Sequence, residues 1–206
     1  RKLAETIGLD RQRGRGTFVR PSEFQQPVGA LYSLFQSIEA QGVEQRSVVL
    51  AKDRRQDPPA AEELGLPPDA PLAYVERLRL AGGSPLAIDQ VWLPADLALA
   101  VLDADFERSA LYDELWIRCA LRPTRGEEQI RPAVLGGEAA QALGMEPGAP
   151  AFSLQRRTWA GDRPLERRHT LVRGDRYAFL SSWIQGQGVA PGLSLVPHPP
   201  AAPGFD

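Results

Sequence analysis

The chain has 206 residues, 43% of them hydrophobic, and a net charge of −2. This length supports one substantial core, and the balance of 24 basic against 26 acidic residues excludes a protein that binds nucleic acid with its whole surface. The single cysteine, Cys119, excludes a disulfide framework, and two histidines are too few for a histidine-based metal cluster.

The first element along the chain is predicted to be a basic β-hairpin. Its arginines alternate, and glycines on both sides of Arg15 allow positive φ angles at the tip. Arginines that project from such a turn are typical of the wing of a winged helix-turn-helix, where they meet phosphates or a narrow minor groove. An ordinary solvated hairpin is the alternative. The candidate DNA-contacting residues are Arg11, Arg13, Gly14, Arg15, Gly16 and Thr17.

Composition predicts four segments. Residues 1–20 are interpreted as the C-terminal remnant of a winged helix-turn-helix domain, and residues 21–28 as a polar linker bounded by prolines. Residues 29–185 form the main domain, and the Gly- and Pro-rich residues 186–206 form an irregular tail. No apolar run reaches the roughly 20 residues of a membrane span and no signal peptide opens the chain, so we expect a cytoplasmic protein.

An internal repeat organises the main domain. Residues 64–74 have a twin 79 residues later, at 143–153, and two copies of one unit extend over about 30–93 and 109–173. Each copy is predicted to contain a helix, a strand, a short helix and a hairpin. In the first copy these are 31–41, 46–52, 59–65 and 71–80 with 85–93. In the second they are 110–118, 125–134, 137–144 and 150–159 with 164–173, followed by a last strand at 177–184. Hairpins dominate, which predicts an α+β fold with helices packed on one antiparallel sheet.

Arg77 and Arg79 are the first candidates for a binding site. They lie two residues apart on a predicted strand and therefore share one face, which Ala73 and Val75 make apolar. A buried arginine needs an anionic partner, either a protein carboxylate or a bound phosphate or carboxylate. A two-residue turn at the glycines would place Asp89 away from Arg77, whereas a bulge or a three-residue loop would pair them.

Several longer motifs resemble a known family. The segments are RLRLAGGSPLAIDQVWLP (77–94), SALYDEL (109–115), LGMEPGAPAFSLQR (143–156) and PLERRHTLVRGDRYAF (164–179). They resemble the UTRA effector-binding domain of HutC-type GntR transcription regulators, which shares the chorismate lyase fold. RGRGTFV (13–19) resembles the end of the DNA-binding domain of these regulators.

The resemblance implies a pocket for a small effector. It places Arg77 and an acid, here Asp89 where family members commonly carry Glu, in the pocket wall. It also implies that the helix start after Ser109 binds the acidic group of the effector, that Ser33 contributes from the other side and that Glu166 reaches hydroxyl or amide groups. The residues themselves leave other roles open: a helix N-cap for Ser109, an ion pair with Arg157 for Glu166 and core packing for Tyr177. The candidate effector-binding residues are Arg77, Arg79, Asp89, Ser109, Glu166, Tyr177 and Ser33.

The predicted function is that of a ligand-responsive transcription regulator, a repressor, rather than an enzyme. Its expected partners are operator DNA, a second copy of the chain and a small anionic effector such as an amino-sugar phosphate, with no cofactor, metal or membrane. An enzyme of the chorismate lyase type and a stand-alone small-molecule-binding module are the alternatives. The basic hairpin argues against the lyase, which has no use for it.

Overall fold

The computed structural model describes residues 9–12, 16–19, 24–27 and 38–180. The strands in these ranges are β1 (Leu9–Gln12), β2 (Gly16–Val19), β3 (Phe24–Pro27), β4 (Gln45–Gln56), β5 (Pro71–Ala81), β6 (Ser84–Pro94), β7 (Arg125–Val134), β8 (Pro150–Ala160), β9 (Arg163–Arg173) and β10 (Tyr177–Leu180). The helices are α1 (Pro58–Glu63), α2 (Ala95–Ala98), a 3-10 helix (Leu99–Asp103), α3 (Leu111–Cys119) and α4 (Gly137–Leu143).

Six strands form one antiparallel sheet in the order β4-β5-β6-β9-β8-β7. Each repeat supplies three consecutive strands, and the two copies meet where β6 pairs with β9. The second copy therefore adds its strands in reversed order, which leaves β4 and β7 at the edges. Helices α1, α3 and α4 pack on this sheet. The predicted α+β class and its construction from two repeats are confirmed.

The first hairpin of the sheet combines a tight turn with a bulge. Ala81 pairs with Ser84 across two glycines whose φ angles are 58° and 79°, a conformation that glycine adopts at little cost. The register then shifts at Leu86, so that Arg77 lies opposite Asp89. The bulged register, one of the two that the sequence left open, is the one that brings these two side chains to the same face.

The second hairpin repeats this bulge at Leu165, which excludes the ion pair with Arg157, the alternative role that the sequence left open for Glu166. Glu166 lies opposite Thr158, whereas a turn without a bulge would have placed it opposite Arg157. The extra residue reverses the face on which the following side chains lie. Glu166 is therefore fully buried, and Arg157 pairs instead with Glu127 at the surface, at 3.2 Å.

The helices end close to their predicted positions. Asp57 is the N-cap of α1, and its carboxylate accepts a hydrogen bond from the backbone N–H of Ala60 at 3.0 Å. Gly144 is the C-cap of α4 and has a φ of 64°. Ala120 is the C-cap of α3, has a φ of 55° and is the one non-glycine residue with positive φ in the described part of the chain.

Two apolar clusters occupy one face of the sheet. The helix-side cluster lies beneath α2, the 3-10 helix and α3, and its members include Val75, Val91, Leu93, Phe106, Leu111 and Leu115. The linker-side cluster lies further along the same face and consists of Phe24, Ile38, Ala81, Leu86, Ala87, Leu154, Val172 and Tyr177. Helices α1 and α4 cover the opposite face, where they bury the alternate side chains of β5 and β6, such as Leu72 and Ile88.

The predicted linker contains a strand. Residues 24–27, expected to be irregular, form β3 and pair in parallel with β10 in a separate two-stranded sheet. Strand β10 corresponds to the first four residues of the last predicted strand, 177–184. The remaining four residues and the predicted tail lie outside the described residues. Of the predicted helix 31–41, only its end lies in the described part, where Ile38 and Glu39 are helical.

The basic segment near the start forms an antiparallel pair, β1 with β2. Arg11 lies on β1 opposite Thr17 on β2, and Gly16 begins β2. Arg13, Gly14 and Arg15 fall outside the described residues. No helix in the described ranges is long and apolar enough to cross a membrane.

Candidate functional site

Buried polar side chains, here called the polar band, lie between the two apolar clusters. On β5, Ala73 and Val75 belong to the helix-side cluster, and the alternation of the strand then brings Arg77 and Arg79 onto the same face. Polar groups in such surroundings are costly unless they are paired. The polar band consists of residues that are at most 8% exposed: Arg77, Arg79, Asp89, Arg156, Thr158, Glu166, Arg168 and Thr170.

Arg77 and Asp89 form a fully buried ion pair at the centre of the band. Arg77 Nη2 lies 2.5 Å from Asp89 Oδ2, and the Thr170 hydroxyl donates to Asp89 Oδ1 at 2.9 Å. Burial alone would raise the pKa of Asp89. The charges of Arg168 and Arg77, with that of Arg79, outweigh burial and hold this pKa below its usual value. Asp89 is therefore a carboxylate whose charge is already shared among several arginines.

Arg79 is the least well paired charge of the band. Its Nη2 lies 3.4 Å from Gln45 Oε1, and its Nη1 lies 3.9 Å from Asp89 Oδ2. Burial lowers the pKa of Arg79 well below its usual value, and the charge of Arg77 adds to this effect. Three buried nitrogen atoms have no acceptor among the described residues: Arg77 Nε, Arg77 Nη1 and Arg79 Nε. Such atoms require an explanation, and a bound anion is the group that would satisfy them.

The second repeat contributes a network around Glu166. Arg168 Nε donates to Glu166 Oε1 at 2.6 Å, and the hydroxyl of Tyr112 on α3 donates to Oε2 at 2.7 Å. Thr158 also donates to Oε2, at 3.2 Å. Burial and the neighbouring Glu166 raise the pKa of Tyr112 above its usual value. This network attaches α3 to the sheet through a polar contact in an otherwise apolar interface.

The band carries more positive than negative charge. Arg156 continues it toward the β7 edge, where its Nε lies 2.9 Å from Oε1 of the partly buried Glu128. Apart from the Arg156–Glu128 pair, three buried arginines face two buried carboxylates, Asp89 and Glu166. An excess of one positive charge remains among the described side chains. A region of low dielectric with uncompensated positive charge attracts an anion strongly.

Four of the predicted effector-binding residues lie close together. Arg77, Arg79, Asp89 and Glu166 all belong to the polar band. Tyr177 lies beside the band in the linker-side cluster and is 2% exposed. Ser33 falls outside the described residues.

The position of Ser109 made it a candidate for the N-cap of α3, but it does not cap this helix. Helix α3 begins at Leu111 with Ala110 as its N-cap, and Ala110 has no capping side chain. The Ser109 hydroxyl instead donates to the backbone carbonyl of Asp105 at 2.6 Å. The true boundary lies one residue later than predicted, which places Ser109 just outside the helix.

Sequence reasoning missed Arg156, Arg168 and Tyr112, as well as the two threonines of the band. The repeat contained a signal for the first two, since an offset of 79 residues relates Arg156 to Arg77 and Arg168 to Asp89. At the second of these pairs the first repeat has an acid, Asp89, and the second repeat has a base, Arg168. Tyr112 carried no such signal, because only the packing of α3 on the sheet brings it to Glu166. In the described part of the chain, no group of His, Cys, Asp and Glu side chains could hold a metal ion.

The polar band and its sheet lie within a segment that matches a known family. Residues 40–178 match the UTRA domain. The chain belongs to the UTRA domain family. Among relatives of this UTRA protein, the HTH-type transcriptional repressor NagR of Bacillus subtilis is 28% identical over 84% of this chain and 71% of its own. The histidine utilization repressor of Pseudomonas putida is 24% identical over 86% of this chain and 71% of its own.

Solved structures agree with this assignment of the UTRA fold. The crystal structure of PhnF from Mycobacterium smegmatis has a TM-score of 0.73 at 28% identity, and covers 89% of this chain and 82% of that one. The effector domain of the same protein gives a TM-score of 0.71 at 27% identity, over 78% of this chain and 99% of that one. NagR and the histidine utilization repressor are both named as repressors, and neither name is that of a lyase-type enzyme.

Proposed function

We propose that this UTRA protein is a ligand-responsive DNA-binding repressor whose polar band binds a small anionic effector. The observation that supports this most directly is the buried charge. Arg77 and Arg79 present three donor nitrogen atoms without an acceptor in the described part of the chain, within a band where the described side chains carry an excess of positive charge. Guanidinium groups bind phosphate and carboxylate with paired, charge-assisted hydrogen bonds.

The acids of the band narrow the class of effector. Asp89 and Glu166 are buried carboxylates and therefore acceptors for hydroxyl or amino groups placed beside the anion. The start of α3 after Ser109 supplies free backbone N–H groups for the acidic end, with Ser33 and Tyr177 as further contacts. An amino-sugar phosphate combines these features, which makes it the effector class that we propose.

The arginine-rich hairpin is proposed to contact operator DNA. It would contribute phosphate or minor-groove contacts through Arg11, Arg13, Gly14, Arg15, Gly16 and Thr17. Such regulators bind two half-sites, so we propose that the protein acts as a homodimer in the cytoplasm. Sedimentation at micromolar concentration is expected to give a dimer, and a monomer would count against this part of the proposal.

Calorimetric titration tests the effector class. Glucosamine 6-phosphate is expected to bind, whereas glucosamine, which lacks the anion, is not. Because the P. putida relative is named for histidine utilization, histidine belongs in the same series. Recovery of the sugar phosphate unchanged, checked by mass spectrometry, distinguishes a regulator from an enzyme. The proposed site would be contradicted if neither glucosamine 6-phosphate nor histidine bound.

A pair of arginine variants locates the site. Arg79→Met removes a buried, incompletely paired charge and is expected to weaken binding of glucosamine 6-phosphate by about 10- to 100-fold, which corresponds to roughly 1.5–3 kcal/mol for a charged hydrogen bond. Arg157→Met makes the same change on the exposed side of β8 and serves as the matched control. An equal loss in both variants would mean that the polar band is not the binding site.

A further inference from the structure

The linker strand, β3, contacts the main domain through the buried side chain of Phe24. Strand β3 pairs in parallel with β10, and Phe24 lies opposite Tyr177 in this pair. The Phe24 backbone N–H donates to the carbonyl of Arg176 at 2.8 Å. Phe24 is 2% exposed and belongs to the linker-side cluster, and the Arg176 guanidinium lies 5.5 Å from its ring centroid.

The linker-side cluster borders the polar band directly. Four of its members lie two residues from band residues on the same strand and therefore on the same face. They are Ala81 after Arg79, Ala87 before Asp89, Leu154 before Arg156 and Val172 after Thr170. Phe24 and Tyr177 pack against this row. A ligand bound at Arg77 and Arg79 would thus lie next to the surface on which the linker strand docks.

We propose that Phe24 is part of the wall of the effector site, so that effector binding and docking of β3 on β10 favour each other. This inference rests on the proposed function of the polar band. A two-stranded sheet of four residues per strand is marginal by itself, so its stability depends on the packing of Phe24 and Tyr177. A ligand that restrains this cluster stabilises the docked strand, and by linkage the docked strand strengthens ligand binding by the same factor.

Docking of β3 also limits the position of the hairpin before it. Strand β2 ends at Val19 and β3 begins at Phe24, and five residue steps span at most about 18 Å. A docked β3 therefore holds Val19, the last residue of the basic hairpin, within this distance of Phe24, whereas an undocked β3 removes this limit. The linker strand is in this way the covalent and physical connection between the effector and the DNA-contacting segment.

Hydrogen exchange of this chain tests the coupling. Glucosamine 6-phosphate at saturation is expected to slow exchange of the Phe24, Gln25 and Gln26 amides by at least about fivefold, the lower end of common allosteric coupling. Amides of α1, on the opposite face of the sheet, serve as the internal reference. In titrations, Phe24→Ala is expected to weaken binding of this sugar phosphate by a similar factor, and Phe24→Leu, which keeps most of the apolar contact, by less.

Leu64→Ala is the control for loss of packing alone. Leu64 is as deeply buried as Phe24, but it follows α1 directly and packs on the opposite face of the sheet. The Leu64→Ala variant should therefore bind the sugar phosphate like the wild type. If the wild type binds the sugar phosphate and Phe24→Ala binds it equally well, the coupling is refuted while the proposed effector site stands.

If the sugar phosphate does not bind to the wild type, the proposed effector class fails, and a ligand-free comparison decides the coupling. Arg79→Met changes the charge of the band next to Ala81 of the linker-side cluster. Exchange of the β3 amides should then differ from that of the wild type by at least about fivefold. Unchanged exchange would overturn the inference.

Discussion

Loss of the Asp89 charge is predicted to lower the free energy of unfolding more than loss of its ion-pair partner Arg77. The substitution Asp89→Asn keeps the shape of the side chain and removes its charge. It leaves Arg77, Arg79 and Arg168 without the carboxylate that all three approach within 3.9 Å. Loss of one partner of a buried pair costs about 3–5 kcal/mol. For a chain of this size, that corresponds to a fall of about 6–20 °C in the melting temperature.

Arg77→Met should cost less, although it breaks the same 2.5 Å ion pair. Asp89 keeps Arg168 at 3.7 Å and the hydrogen bond from Thr170. The substitution also removes one positive charge from a band in which, among the described side chains, the arginines Arg77, Arg79 and Arg168 outnumber the carboxylates Asp89 and Glu166. We expect a loss below about 3 kcal/mol, because replacing a buried charge by an apolar side chain of similar volume is often tolerated.

Urea unfolding of the wild type and both variants at pH 7 measures this difference. An equal or larger loss for Arg77→Met than for Asp89→Asn would refute the charge count for the polar band. The pH dependence provides an independent check. The pKa of Asp89 is lowered in the folded state, so its stabilisation is present above the usual carboxyl pKa of about 4 and is lost as the pH falls below it. The stability difference between the wild type and Asp89→Asn should therefore shrink below about pH 4.

Three further predictions concern other parts of the chain. Ala120→Gly should raise the free energy of unfolding by roughly 0.5–1 kcal/mol, since a φ of 55° strains alanine but not glycine; a loss of stability would contradict this. Tyr112→Phe should lower it by about 1.5–3 kcal/mol, because Glu166 loses a buried hydrogen bond; an unchanged urea midpoint would count against the network. Alanine at Arg13 and Arg15, in a protein with its complete DNA-binding domain, should flatten the salt dependence of DNA binding by about 0.9 per lost phosphate contact; an unaltered slope would mean that the hairpin does not touch DNA.

Much of the fold was accessible from the sequence because its signals are local. The turn glycines, the period-2 patterns and the repeat at 79 residues predicted both hairpins. The ends of α1, α3 and α4 lie within two residues of their predicted positions. The burial of at least one of Arg77 and Arg79 also followed from alternation, since their strand is partly apolar on both faces.

Only the tertiary structure decided which charges meet. The bulges at Leu86 and Leu165 set the faces of Asp89 and Glu166, and a shift of one residue in register cannot be read from strand composition. The contact of Tyr112 with Glu166 and the docking of Phe24 on β10 join residues more than 50 positions apart. The sequence alone thus determined the elements and the presence of buried charge. The pairing of those charges depends on long-range packing, because each side chain takes its partner from a strand or helix remote in the chain.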